Sequence, residues 1–200
     1  MKRIFSLLVV GFLFLSFTTG SAQAAISPLA IAIVPPVQFP GHDFTVAGAR
    51  VSLLWGSQRN VYGLDVGAIG NMTDGQMTGV GVSGIFNVNK GATTAIIQGA
   101  GFGNFNTGKA RIYGVQFAGI MNANKAESVV AGLQVALLNL GPYTNIRGVQ
   151  AGLYNKAHDV VGFQIGVIND ADSLHGIQIG LVNFHRQGTI SVAPILNIGF

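Results

Sequence analysis

Five glutamines recur at one position of a repeated phrase and are the first candidates for chemistry in this chain. They are Gln116, Gln134, Gln150, Gln164 and Gln178. With small variations, each stands in a Gly-apolar-Gln-apolar-Gly-apolar-apolar-Asn unit such as the one at residues 162–169. Amide side chains both donate and accept hydrogen bonds. The column can therefore line a polar lumen that contacts sugars or water, or form a ladder that holds strands in register.

Arg50 and Asp65 are the two charged residues that fall clearly inside predicted strands. If residues 56–59 form a turn between two antiparallel strands, Trp55 lies opposite Asn60 and Arg50 lies opposite Asp65. An isolated charge inside a fold is costly. We therefore expect these two side chains to face the interior and to form a buried ion pair.

Other residue types that perform catalysis or bind metals do not form a convincing group. The histidines are His42, His158, His175 and His185, and their spacing does not bring three or four metal ligands to one point. Ser52 and Ser83 are candidate strand nucleophiles, but no histidine falls beside either. The chain has no cysteine. We predict no enzymatic activity, no cofactor and no metal site, and we retain an envelope-lipid hydrolase as a third alternative.

The elements that position these residues are predicted to be strands. Polar or glycine residues alternate with apolar ones in each repeat, which is the two-residue period of a strand. The repeat asparagines lie 14 to 18 residues apart, and polar, turn-prone segments separate the repeats. We predict about ten strands, beginning near residues 46, 60, 78, 94, 110, 129, 146, 160, 174 and 189, with Asn at strand ends.

Composition and the first 24 residues indicate export. Lys2 and Arg3 precede an apolar stretch at 4–17, and Ala22-Gln23-Ala24 matches a signal-peptidase site, so we predict a signal peptide at 1–24. We interpret 25–45 as an N-terminal extension or edge strand and 46–200 as the repeat domain. Charged residues make up only 9% of the chain, against about 25% in ordinary soluble domains. No basic cluster occurs, so we expect no nucleic-acid partner.

Two folds account for a strand face that is continuously apolar. The first, which we favour, is an antiparallel transmembrane β-barrel of about ten strands, with the apolar face toward lipid and the five glutamines, Arg50 and Asp65 lining a narrow lumen. Phe200 then ends the last strand as a signal for the barrel-assembly machinery. The alternative is a parallel β-solenoid, with apolar residues stacked inside and Asn ladders at its corners.

The repeat phrase resembles a bacterial family of exported surface-repeat proteins built from Gly-apolar-Gln-apolar-Gly-Leu-apolar-Asn units. The resemblance covers roughly residues 62–184 and is closest at GFQIGVIN (162–169) and GIQIGLVN (176–183). The segments VPPVQ (34–38) and NVYGLDVG (60–67) resemble the family's leader segment. The resemblance implies an exported, envelope-associated protein and supplies no catalytic residue. Ala136 replaces the inner glycine of one unit, a departure that bears on local packing alone.

The sequence thus predicts a protein of the bacterial outer membrane, structural or narrowly pore-like, whose partner is outer-membrane lipid. The alternative function, which accompanies the solenoid, is a surface-exposed binding or interaction module at the cell surface or in the periplasm. No ligand and no oligomeric state follow from the residues.

Overall fold

The computed structural model describes residues 25–200, and the predicted signal peptide at 1–24 lies outside this range. The described part is all-β. It contains no helix long and apolar enough to cross a membrane. Its strands form two parallel stacks that enclose a narrow interior.

Ten parallel strands within residues 25–200 form the first stack, one for each turn of the chain. Eight are separate elements: β1 (Ile26–Val34), β3 (Thr45–Ser52), β5 (Asn60–Gly67), β7 (Met77–Ser83), β9 (Thr93–Ala100), β11 (Ala110–Ala118), β13 (Ser128–Val135) and β15 (Thr144–Ala151). Each pairs in parallel with the strand one turn later. The chain therefore winds as a parallel β-solenoid of about ten turns.

Shorter parallel strands form the second stack. Six are separate elements: β4 (Trp55–Gln58), β6 (Gly70–Thr73), β8 (Phe86–Asn89), β10 (Gly103–Asn106), β12 (Met121–Asn124) and β14 (Leu138–Leu140). Two long elements, β16 (Tyr154–Ile165) and β17 (Ile168–His185), run through both stacks. Their first residues pair in the short stack and later residues in the long stack, which supplies the ninth and tenth long strands.

Equivalent residues of successive repeats lie directly opposite one another. Gln134 pairs with Gln150, and Asn139 pairs with Asn155. A slip of one residue would turn every inward amide outward, so the two-residue period fixes the register. The repeat asparagines lie within the short strands rather than at the ends of the long ones, which corrects their predicted role.

Differences in repeat length are accommodated mainly where a short strand leads into the next long strand. Residues 125–127 and 141–143 form loops at this corner. In the 14-residue repeats the strand continues without a loop, which is why β16 and β17 are long. Repeats of 14 to 18 residues can therefore share one pairing register.

Antiparallel strands that contain or adjoin proline cap both ends of the solenoid. At one end β2 (Val37–Phe39) pairs with β1, and at the other β18 (Val192–Gly199) pairs with β17. Pro35 and Pro36 precede β2, and Pro194 lies in β18. Proline has no backbone N–H, so these edges are poor templates for another strand.

The predicted antiparallel barrel is wrong. Successive repeats run parallel, and the predicted hairpin does not form, because Trp55 pairs with Gly70 while Asn60 pairs with Thr45. A membrane barrel wall and a turn of this solenoid share both the two-residue period and an apolar outer face. The feature that separates them is the short strand at each Asn, which the sequence analysis interpreted as the approach to a turn.

The alternative fold, a parallel solenoid, is correct, but its interior differs from the expected one. The buried space holds the Gln and Asn side chains, and most of the apolar side chains of the repeat face outward. The largest apolar cluster inside is a single column near the start of the long strands: Met77, Ala95, Ile112, Val130, Ile146, Val160 and Leu174, with Ala157 and Ala171.

Candidate functional site

The five glutamines predicted to line a lumen are fully buried between the two stacks. Gln134 Nε2 donates to Gln116 Oε1 at 2.6 Å, and Gln150 Nε2 donates to Gln134 Oε1 at 2.7 Å. The same bonds link Gln164 to Gln150 and Gln178 to Gln164. Because the amides bind one another and fill the space between the stacks, this column offers no channel to a solute.

Gln98 begins this ladder, and the sequence analysis missed it. Gln116 Nε2 donates to Gln98 Oε1 at 2.8 Å. Ile96 stands where the neighbouring repeats have glycine, and the strand pairing shifts there. The spacing between Gln98 and the repeat asparagine Asn104 would have revealed it.

The repeat asparagines form a second internal ladder, which joins the two stacks. Its members are Asn71, Asn87, Asn104, Asn122, Asn139, Asn155, Asn169 and Asn183. Successive side chains are joined by Nδ2 to Oδ1 hydrogen bonds of 2.8–3.1 Å. Asn139 Nδ2 also donates to the Ala151 carbonyl at 2.8 Å, so the short strand is tied to the next long strand. These amides are structural groups.

Arg50 and Asp65 form a buried ion pair between β3 and β5. Arg50 Nε donates to Asp65 Oδ1 at 2.7 Å, and Nη2 donates to Oδ2 at 2.6 Å. Nη1 donates to the Met72 carbonyl at 2.8 Å. Burial raises the pKa of the Asp65 carboxyl, and the Arg50 charge opposes that rise. The two residues pair as expected, but between parallel strands one turn apart and in a space that is not a lumen.

Each histidine lies near one or two other polar groups, and His42 Nδ1 is 3.5 Å from Asp43 Oδ1. His42 Nε2 lies 2.8 Å from Asp74 Oδ2, and His158 Nδ1 lies 3.0 Å from Asp172 Oδ2. His185 Nε2 accepts the Leu174 backbone N–H. Burial, together with the nearby His175, lowers the pKa of His185. Within residues 25–200 no group of three or more His, Cys, Asp or Glu side chains is arranged to hold a metal ion.

Phe200, the predicted barrel-assembly signal, is fully exposed just beyond β18. That strand is an antiparallel cap of a solenoid and not the closing strand of a barrel. The physical basis of the predicted signal, a barrel seam, does not exist in this fold.

A continuous apolar surface, which we call the apolar ridge, runs along the solenoid where each long strand turns into a short one. Its turn residues are Leu53, Ile85, Phe102, Leu137, Leu153, Val167 and Leu181, all exposed. The outward side chains of the adjoining long strands extend it: Leu64, Val82, Ile97, Phe117, Leu133, Phe163 and Ile179. The first residues of the short strands complete it, among them Phe86, Met121, Leu138 and Tyr154, which are half-buried.

Charged side chains collect at the opposite corner, which we call the polar corner, where each short strand leads into the next long strand. Lys109 Nζ lies 2.8 Å from Glu127 Oε2, and Lys90 Nζ lies 2.7 Å from Asp74 Oδ1. The bond from Lys90 holds the pKa of the Asp74 carboxyl below its usual value. A surface groove of about 440 Å³ beside Lys109 and Tyr143 lies here. The cross-section is therefore apolar on one side and ionic on the other.

Comparisons with known protein families, with curated proteins and with solved structures find no match to this chain. The resemblance to the surface-repeat family stays a prediction that rests on the repeat phrase. The structural feature that bears on function is the contrast between the exposed apolar ridge and the charged polar corner.

Proposed function

We propose that this protein is an exported, non-catalytic β-solenoid of the bacterial envelope that acts as an interaction module through its apolar ridge. The observation that carries the proposal is the ridge itself, which runs from Leu53 to Leu181. Single exposed apolar residues are ordinary on protein surfaces. Contiguous apolar patches of more than a few hundred Å² are rare on monomers and mark surfaces that contact a partner or a membrane.

The remaining polar groups support a role without catalysis. Most internal amides are occupied by each other, and the histidines at the surface lie against carboxylates or backbone groups. The predicted signal peptide at 1–24 and the resemblance to exported surface-repeat proteins support a location in the envelope.

Single-cysteine labelling tests the proposal, because the chain has no native cysteine. Leu153→Cys reports on the apolar ridge and Tyr143→Cys on the polar corner, and the native side chains are 52% and 60% exposed. Each variant is treated with a charged maleimide, first as purified protein and then in opened cell envelopes. We expect both to react at similar rates when purified, and only Leu153→Cys to be protected in the envelope.

Equal labelling of the two cysteines in the envelope would show that the ridge is uncovered and would contradict the proposal. Thermal unfolding of each purified variant, compared with the native chain, establishes that the fold is intact. The labelling result does not depend on whether lipid or protein covers the ridge.

A further inference from the structure

We infer that the partner of the apolar ridge is a lipid surface, on which the solenoid lies along its length. This inference rests on the proposed function and names the partner that the interaction module contacts. Three properties of the ridge carry it: its convex shape, its extent, and the position of the charged groups.

The ridge is convex, which favours a fluid partner over a second copy of this chain. Its residues lie on the outer side of the long strands, such as Leu133, on the turn, such as Leu137, and at the start of the short strands, such as Leu138. Two convex ridges meet along a line, so a second copy covers one flank and leaves the other in water. Lipid chains conform to both flanks.

The ridge is long enough for stable interfacial contact. From Leu53 to Leu181 the ridge crosses nine turns, and their eight spacings of about 4.8 Å give a length of about 38 Å. Interfacial proteins bury an apolar face to a depth of about 5–10 Å at the boundary of headgroups and acyl chains. The ridge side chains named above include no charged residue, and the nearest charges on the short strands, Lys156 and Asp170, form an ion pair with each other at 3.1 Å.

The charged groups favour attachment through apolar contact rather than through lipid charge. Lys90, Lys109 and Lys156 all lie within 3.1 Å of a carboxylate oxygen, and they belong to the polar corner or its border. Four other basic side chains, Arg59, Arg111, Lys125 and Arg147, are exposed and form no ion pair within residues 25–200, but none of them belongs to the ridge, so contact through the ridge does not depend on anionic headgroups. With the ridge in lipid, the polar corner faces water, as in other amphipathic elements at membrane surfaces.

Flotation with vesicles of phosphatidylcholine alone tests the inference, using the chain from Ala25 onward, which contains every strand described. We expect the protein to float with the vesicles at low salt and also in about 0.5 M NaCl, because screening weakens ionic but not apolar contacts. The variant Phe102→Asp/Leu153→Asp places two carboxylates on the ridge, three turns apart. Its partitioning should be weaker by at least about tenfold.

The matched control is Ala92→Asp/Tyr143→Asp, which adds the same charge at the polar corner, also three turns apart. It should float as the native chain does. Equal loss of flotation in both variants would overturn the inference, because binding would then not involve the ridge. If either variant unfolds, an environment-sensitive dye on Leu153→Cys and on Tyr143→Cys replaces it. A blue shift with vesicles is expected for Leu153→Cys only, and its absence contradicts the inference.

Two outcomes separate this inference from the proposed function. If the native chain does not float although Leu153→Cys is protected in the envelope, the partner is a protein and the lipid inference fails alone. Light scattering that shows a dimer of the purified chain would identify a second copy as the occupant. If Leu153→Cys is not protected in the envelope, the proposed function fails as well.

Discussion

At the scale of single residues, the interior is held by amide groups whose hydrogen bonds are made within the fold. A buried amide group without a partner costs free energy of about 1–3 kcal/mol, so the inner members of each ladder keep both donor and acceptor bonded. The exception is at one end of the Asn ladder, where Asn71 Oδ1 has no partner. Gln134 shows this directly, because it donates to Gln116 and accepts from Gln150. The Arg50–Asp65 pair occupies the same column near one end and satisfies the same requirement with charges.

Replacing one ladder amide by a carboxylate should be severely destabilising. Gln134→Glu puts a charge between buried stacks and opposes its oxygen to Gln116 Oε1, so we expect a loss of about 3 kcal/mol or more at pH 7. Gln187→Glu makes the same chemical change at an exposed position and should alter stability by less than about 0.5 kcal/mol. Chemical denaturation of the two variants and the native chain measures the difference.

The pH dependence of the same variant gives an independent check. Burial should raise the pKa of the new carboxyl above its unfolded value of about 4.3, so the penalty grows as pH rises above that value and shrinks below it. A protonated carboxyl can donate to Gln116 as the amide did. A difference between Gln134→Glu and Gln187→Glu that stays constant from pH 3 to pH 7 (roughly the range of carboxyl titration) would contradict the proposed buried ladder.

At the scale of elements, the strands depend on a glycine column that the repeat phrase already displays. Gly132 has φ of 131°, and the equivalent residue in most turns also has positive φ. A Cβ at Gly132 would meet the carbonyl oxygen of Gly114 in the turn below. This glycine therefore permits two backbones to approach closely, a role that the sequence analysis did not assign to it.

Replacing glycine by alanine at two positions distinguishes the close backbone approach at Gly132 from the general effect of alanine in a strand. Gly132→Ala should destabilise the protein by about 2 kcal/mol or more, because it combines a strained φ with a backbone clash. Gly99→Ala, in β9, meets no atom within 4 Å and should change stability by less than about 0.5 kcal/mol. Similar midpoints for the two variants in thermal unfolding would refute the close approach at Gly132.

At the scale of the whole molecule, the solenoid is a rod with one apolar and one ionic side and two capped ends. The caps matter because an open parallel stack presents unpaired N–H and C=O groups that can bind another chain. Eight register positions of β18 cover the last open strand, from Gly176 to Phe184.

Removing residues 192–200 should expose that edge and cause concentration-dependent association. Light scattering of the truncated chain is expected to show oligomers where the native chain does not. Phe200→Ala is the control, since this side chain is fully exposed and contributes no packing, and it should keep both the association state and the unfolding midpoint. A truncated chain that remains as dispersed as the native one would argue against a capping role.

The sequence by itself determined the all-β class, the starts of most long strands, the repeat register and the inward direction of the Gln column. Each of these follows from local alternation and from repetition, which are visible in one dimension. Arg50 opposite Asp65 was predicted from an antiparallel hairpin that does not form; the two residues pair because both occupy the Gln position of their repeats in parallel strands.

Only the tertiary structure decided between antiparallel and parallel neighbours, and therefore between a barrel and a solenoid. Neighbouring long strands are antiparallel if the chain turns back at once, and parallel if it first passes through a second, short strand. A short strand such as Gly70–Thr73 has only four residues, in which the alternation is too brief to distinguish a strand from a turn. The same choice decided what most apolar side chains of the repeat phrase face. Because Gln and Asn amides occupy much of the interior, these apolar side chains point outward and form a ridge that is open to a partner.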